Sequence, residues 1–423
     1  MADSANMSFC GLDFGTSNST LGISDAEGAR LLPLEGAATT LPSAMWFDMM
    51  GGAPLFGRSA IESYVDRLDG RLMRSIKSML GTSLIEEDTW IGRERIGFKQ
   101  VIAMFLAEMK ARAEAVCGHA LEQVVHGRPV HFVDDDPAGD RAAEDTLRGI
   151  AREAGFSEVS FEYEPIAAAR TYEAGLEREE TALIVDIGGG TSDISIVRLG
   201  PARRALSDRS GDILSNDGIR LGGTDVDRLF SLATVMPVLG LGSKMTRPGA
   251  VVPSRYFHML ATWSRINALY APKVVAEVRD VRRESREPEK IDRLLRVLDG
   301  NLGHSLALKV EAAKIDLGRH DPTEIDLRLV EPELAVCAGR AVLDSAIKDA
   351  VGRISALIRR CIRASGIPPD RLDAVFLTGG SAQLPTFRAA ALAEAPAARV
   401  VEGDTFGAVG IGLAIEARRR YGG

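Results

Sequence analysis

Asp186 closes an apolar run, Leu183-Ile-Val, and is followed by Ile187, Gly188, Gly189, Gly190, Thr191, Ser192 and Asp193 before a second apolar run to Val197. An acid, a glycine run, a hydroxyl and a second acid between two β-favouring stretches read as a hairpin with a glycine-rich tip. Glycines at such a tip let backbone N–H groups come close to a bulky anion and point at it. An acid beside that anion repels it unless a cation lies between, so the combination suits a metal-bound phosphate. The same residues also suit an ordinary tight hairpin whose acids cap its turn, and one copy does not choose between the two.

The motif occurs twice. Phe9-Cys10-Gly11-Leu12-Asp13-Phe14-Gly15-Thr16-Ser17-Asn18-Ser19 repeats the order strand, acid, apolar residue, glycine, threonine, serine, with two fewer glycines. The copies lie near the start of each half of the chain, which implies two related lobes offering hairpins to one ligand. A third glycine turn, Thr378-Gly379-Gly380-Ser381, follows the apolar stretch Ala374-Val-Phe-Leu and precedes a candidate helix, so its N–H groups suit a phosphate or nucleoside.

The ordered set Gly11-Leu-Asp-Phe-Gly-Thr-Ser-Asn18, Glu164-Pro-Ile-Ala-Ala-Ala169, Asp186-Ile-Gly-Gly-Gly-Thr-Ser-Asp193, Gly222-Gly-Thr-Asp-Val-Asp227 and Thr378-Gly-Gly-Ser-Ala-Gln-Leu-Pro385 resembles the actin, sugar-kinase and heat-shock superfamily. Within it, the set is similar to the nucleotide-binding domain of the seventy-kilodalton heat-shock (DnaK-type) chaperones. The resemblance implies an α/β, actin-like ATPase fold: two lobes, each a ribonuclease-H-like mixed sheet flanked by helices, with a nucleotide cleft between them. It places lobe I at 1–180 with 400–423 returning to it, and lobe II at 181–399. A variable helical segment, about 229–317, resembles the YegD-like branch more than DnaK itself.

Roles follow from the resemblance residue by residue. Gly15, Thr16, Ser17 and Asn18, with Gly188, Gly189, Gly190 and Thr191, would cradle the phosphates, and Gly222, Gly223 and Thr224 would lie below the γ-phosphate. Asp13, Glu164 and Asp186 would hold magnesium through water. Lys77 would orient the attacking water, Thr191 would touch the γ-phosphate, and Asp186 is the first candidate base. Glu311 and Lys314 would meet the adenosine, and Gly379, Gly380, Ser381 and Asp404 would complete the nucleotide site. Ile315 and Gly318 stand where the family has an arginine and a serine. Plainer readings stand beside these: Lys77 as an exposed helical lysine, Glu164 as an N-terminal helix acid, Glu311 and Lys314 as an intrahelical ion pair.

The implied protein is an ATP- or ADP-binding, magnesium-dependent ATPase, a nucleotide-switched chaperone-like molecule whose partners are protein clients or co-chaperones. The family's peptide-binding sandwich, lid and linker have no counterpart here. Two alternatives share the fold: a small-molecule kinase, and a non-catalytic or filament-forming actin-like protein.

Composition narrows the classes further. The 423 residues allow two or three domains or two large lobes. A net charge of −8 and a pI near 5.5 argue against nucleic acid as partner. Arg418-Arg419-Arg420 reads as a solvated helix end. Cys10, Cys117, Cys337 and Cys361 form no Cys-x-x-Cys pair and read as reduced, mostly packing thiols. The start of the chain has no basic, apolar leader, and the longest apolar run, Leu229 to Gly242, contains Pro237. No membrane partner and a cytoplasmic location are expected. Of the six histidines, His126 and His131 read as structural. Asp134-Asp135-Asp136 suits a helix cap better than a metal site. A strand is expected over 41–47 and a single mixed-charge helix over 280–296.

Overall fold

The computed structural model describes residues 8–66, 70–204, 206, 209–402 and 407–422. They form two compact units, one from residues up to 222 together with those from 353 onward, the other from residues 223–352.

The first unit contains two sheets built on one plan. In the first, Phe9–Asp13 and Asn18–Asp25 form an antiparallel hairpin that Gly28–Leu31 extends on one side. On the other side lie the parallel strands Gln123–Arg128 and Glu158–Tyr163. In the second, Glu180–Ile187 and Ser192–Leu199 form the hairpin, with Ile213–Ile219 antiparallel on one side and Ala374–Thr378 and Arg399–Glu402 parallel on the other. The central strands read as nearly unbroken apolar runs because both faces are covered, and Leu183, Ile184 and Val185 are fully buried. Register then fixes the acids: Asp13 pairs with Thr20, Asp186 with Asp193 across the hairpin and with Thr378 on the parallel side.

Two helices hold the hairpins from behind. Glu164–Glu173 begins directly at the end of the Glu158–Tyr163 strand, with Pro165 in its first turn. Ala408–Tyr421 packs on that helix and on the first hairpin so closely that a Cβ on Gly412 would lie 1.8 Å from Ala167 O, and one on Gly11 2.2 Å from Ala414 N. Pro137–Glu153 is capped by Asp136, whose carboxylate accepts from the N–H groups of Ala138 and Gly139 at 3.1 and 3.0 Å.

Several local expectations are corrected. The stretch 41–47 is two strands, Thr40–Pro42 and Ala44–Asp48, broken at Ser43, whose hydroxyl donates to Gly15 O at 2.7 Å and lies 2.9 Å from that of Ser19. The stretch 280–296 spans two helices, Pro272–Glu284 and Pro288–Asp299, since Ser285 is extended and Pro288 opens a new first turn. Arg419 and Arg420 are not a solvated end, because both bind the fully buried carboxylate of Glu416. Cys337 is exposed and not a packing thiol; all four cysteines are free.

The second unit is mostly helical. Gly223–Val238, Arg255–Leu260, Pro272–Glu284, Pro288–Asp299 and Gly303–Asp316 enclose Phe230, Phe257, Ile266, Leu294 and Val310, beside a ribbon of Thr323–Asp326 and Ala335–Ala338. No helix among the described residues is long and apolar enough to cross a membrane.

Candidate functional site

Lys77 lies on a single 3-10 turn, Ile76–Met79, entered through Ser75 in the left-handed region (φ 58°). That reversal turns Lys77 inward, where it is buried and donates to Glu164 Oε1 at 2.6 Å. The exposed-lysine reading is therefore excluded. Arg220 fastens the turn from outside, donating to Ser78 O at 2.6 Å and to Leu80 O and Phe132 O at 2.7 Å.

Around the Lys77–Glu164 pair stand three further acids. Desolvation in the enclosed site pushes Asp13, itself partly exposed, up to about 7, with the Glu164 carboxylate adding to the effect and Lys77 opposing it. Asp193 is also raised to about 7, by burial and then by Glu164, against hydrogen bonds from Val130 N–H, at 2.6 Å, and from the Thr191 hydroxyl. Asp186 is raised well above the carboxylate range, first by burial and then by Glu164, Asp193 and Asp13. Burial works against the charge on Lys77, but Glu164 and Asp13 outweigh it and hold the ammonium firmly protonated. Four acids thus share one cationic side chain, an arrangement with room for more positive charge.

The two hairpin tips meet here. A Cβ on Gly189 would lie 2.5 Å from Ser17 Oγ, and one on Gly190 2.6 Å from Thr16 Oγ1. Gly15 allows the first tip to turn, since a Cβ there would sit 2.0 Å from Asn18 O, and Gly188 N–H donates to Thr191 O at 3.0 Å to close the second. Gly222 backs the second tip, its Cβ position lying 2.6 Å from Gly190 N. The third turn reaches the same place: Gly379 (φ 82°) would bring a Cβ within 2.4 Å of Ile187 O and 2.5 Å of Asp186 Oδ1, Ser381 donates to Gly188 O at 3.2 Å, and Gly380 opens the next 3-10 turn. Gly379→Ala is therefore expected to cost about 1–3 kcal/mol in stability, read as a lower denaturation midpoint, because it strains the backbone and displaces Asp186.

The remaining expected residues belong to the second unit or fall outside the described residues. Gly223, Thr224, Glu311 and Lys314 belong to the second unit, where Lys314 is buried and paired with Asp227 at 2.7 Å. The ammonium of Lys314 therefore has a partner on another helix, beyond the intrahelical spacing to Glu311. Ile315 is 61% exposed, so it packs against nothing that explains its presence. Asp404 lies outside the described residues. No group of three or more His, Cys, Asp or Glu side chains among the described residues is arranged to ligate a metal directly.

Three neighbours were given no part in the site by sequence. Asp193 has the signal of its motif but reads as a turn cap. His126, fully buried, pairs in register with Leu12; its Nδ1 lies 2.6 Å from Gly127 O, and burial depresses its pKa to about 3. Arg220 has no local signal, since its acceptors are carbonyls more than 80 residues earlier.

The model of the Hsp70 protein family matches residues 9–233, a little over half of the chain, and takes in both hairpins, Lys77, Glu164 and the Gly222–Asp227 motif.

Proposed function

The chain belongs to the Hsp70 family, with its α/β actin-like ATPase fold, and on that premise we propose that it is a magnesium-dependent ATPase acting as a nucleotide switch. One observation carries the reading: the buried Lys77–Glu164 pair set among Asp13, Asp186 and Asp193 beneath two facing glycine tips. The residues present fit a magnesium nucleotide. Glycine backbone at 188–190 and around Gly15 suits phosphate oxygens, and an excess of carboxylates suits a hydrated divalent cation, which magnesium remains when bound through one or two acids.

Asp13, Glu164 and Asp186 would hold the ion through its waters, and the ion would neutralise phosphate charge. Lys77, kept charged by Glu164, would orient the attacking water and add positive charge where negative charge develops. Thr191, at the hairpin tip two residues before Asp193, would touch the γ-phosphate with its hydroxyl. Asp186 is the first candidate base, and Asp193, titrating near 7, is a second group able to take a proton at neutral pH. Gly223, Thr224, Glu311, Lys314, Gly379, Gly380, Ser381 and Asp404 would complete the nucleotide contacts, the last six from outside the matched span. Protein clients and co-chaperones are the partners this reading calls for.

Single-turnover hydrolysis of ATP with magnesium and no acceptor tests the proposal. Wild type should hydrolyse slowly, and Thr191→Ala should be slower by about 10²-fold with nucleotide affinity nearly kept. Tight ATP binding without any hydrolysis by the wild type would overturn it.

A further inference from the structure

Outside the site, the most completely buried acid of the first unit is Glu416, on the Ala408–Tyr421 helix. Three arginines converge on it: Arg170 at 2.7 Å, Arg419 at 2.6 Å and Arg420 at 2.6 Å. Burial pushes its carboxyl up, but Arg419, Arg170 and Arg420 outweigh that and hold it below the ordinary glutamate range. Arg170 and Arg420 also hold Glu162, at 3.4 and 3.1 Å, and Arg420 donates to Phe161 O at 2.8 Å.

These partners straddle one junction. Glu162 is the second-last residue of the Glu158–Tyr163 strand, Glu164 is the first of the next helix, and Arg170 lies on that same helix. Arg170 lies six residue steps along the helix from Glu164, a rigid rise of about 9 Å. Midway, Ala167 meets Gly412 backbone to backbone, and Thr171 donates to Ala408 O at 2.8 Å. The same helix 408–421 abuts the strand that ends in Asp13, through Gly11. One cluster of charge thus grips the segment that carries Glu164 on both sides of that residue.

We propose that Glu416 is a positioning residue for the Lys77–Glu164 pair, acting through Arg170, Arg420 and the Glu162–Glu164 junction. Its carboxylate is fully buried among arginines, so its part is mechanical and not chemical. Taking away its charge leaves three arginines crowded at one place, and their repulsion shifts the junction and loosens Glu164 from Lys77. The chemical role of that pair rests on the ATPase reading; the mechanical link does not.

The test uses the full chain and two readouts. The first is acylation of lysines by a small amine-reactive ester, followed residue by residue with mass spectrometry. Glu416→Gln should raise the Lys77 rate by about tenfold while buried Lys314 stays unchanged, and Glu416→Asp, which keeps the charge, should return most of the protection. Arg420→Gln, altered at the more exposed partner, should act in the same direction more weakly and covers the case in which Glu416→Gln does not fold. An unchanged Lys77 rate overturns the proposal, as does a rise shared equally by Lys314, which would mark general loosening. The second readout is single-turnover hydrolysis. Glu416→Gln should lower the rate by about tenfold with ATP affinity within about twofold, and should add nothing in a Lys77→Met background. Additive losses there overturn the proposal. A wild type that does not hydrolyse ATP refutes the ATPase reading, while the labelling ratios still decide the link.

Discussion

Lys77→Met is expected to reduce single-turnover ATP hydrolysis by about 10²–10³-fold, the range found when one charged or donor group is removed from developing negative charge. The reason lies in the charge balance of the site. Lys77 is the cationic side chain hydrogen-bonded to Glu164, and its ammonium also lowers the titration of Asp13, Asp186 and Asp193. Without it, four acids face one another in an enclosed space. Removing one partner of a buried ion pair typically costs about 3–5 kcal/mol, so the variant should also be less stable than wild type without nucleotide. That loss has a pH signature: it should be largest above neutrality, where the acids ionise, and should shrink in mild acid, where protons replace the missing cation. Glu164→Gln in the same chain should restore part of the stability and none of the turnover. Denaturation midpoints at two pH values, set beside hydrolysis rates, read both effects. If the double variant is as unstable as Lys77→Met, the loss comes from packing and not from unpaired charge.

Both hairpins were legible in sequence because their signal is local: an acid, glycines and a hydroxyl between apolar runs, spaced as a strand and its return. The cap at Asp136 and the strand-to-helix junction at Pro165 were legible for the same reason. What joins them was not. Lys77 and Glu164 are 87 residues apart, and the inward turn of Lys77 depends on Ser75 adopting a left-handed conformation that a serine does not announce. Arg418-Arg419-Arg420 looks like a polar helix end until Glu416, two residues before the pattern, is seen to be buried beneath it. The break at Ser43 is likewise tertiary, set by its hydroxyl reaching back to Gly15. Lys314 illustrates the limit of spacing arguments: Glu311 stands at i−3, yet the ammonium is drawn to Asp227 on another helix, where burial makes pairing more urgent.

The acids that crowd Lys77 also predict how protons and nucleotide compete. Asp13 and Asp193 titrate near 7 in the folded chain, against 3.8 for an unperturbed aspartate. Between those values the native state holds protons that the unfolded chain has released, so stability without nucleotide falls as pH rises from about 4 to about 7 through these groups. His126 acts oppositely: its folded value near 3 lies below 6.5, so it adds stability with rising pH between the two and contributes no change above. From pH 6.5 to 7.5 the aspartates alone remain, and the net slope should be downward. A magnesium nucleotide reverses the preference, because a bound cation favours ionised carboxylates and must displace their protons. Binding at pH 6 should therefore release protons from Asp13, Asp193 and Asp186, and at pH 8 fewer, with affinity increasing between them. Calorimetry in two buffers of different ionisation enthalpy measures this directly. Asp193→Asn should remove its own part of the release at pH 6 while leaving the share of Asp13 and Asp186. Heats that do not differ between buffers at pH 6 would mean that the cation is not held at these acids, and would move the search for its site elsewhere in the fold.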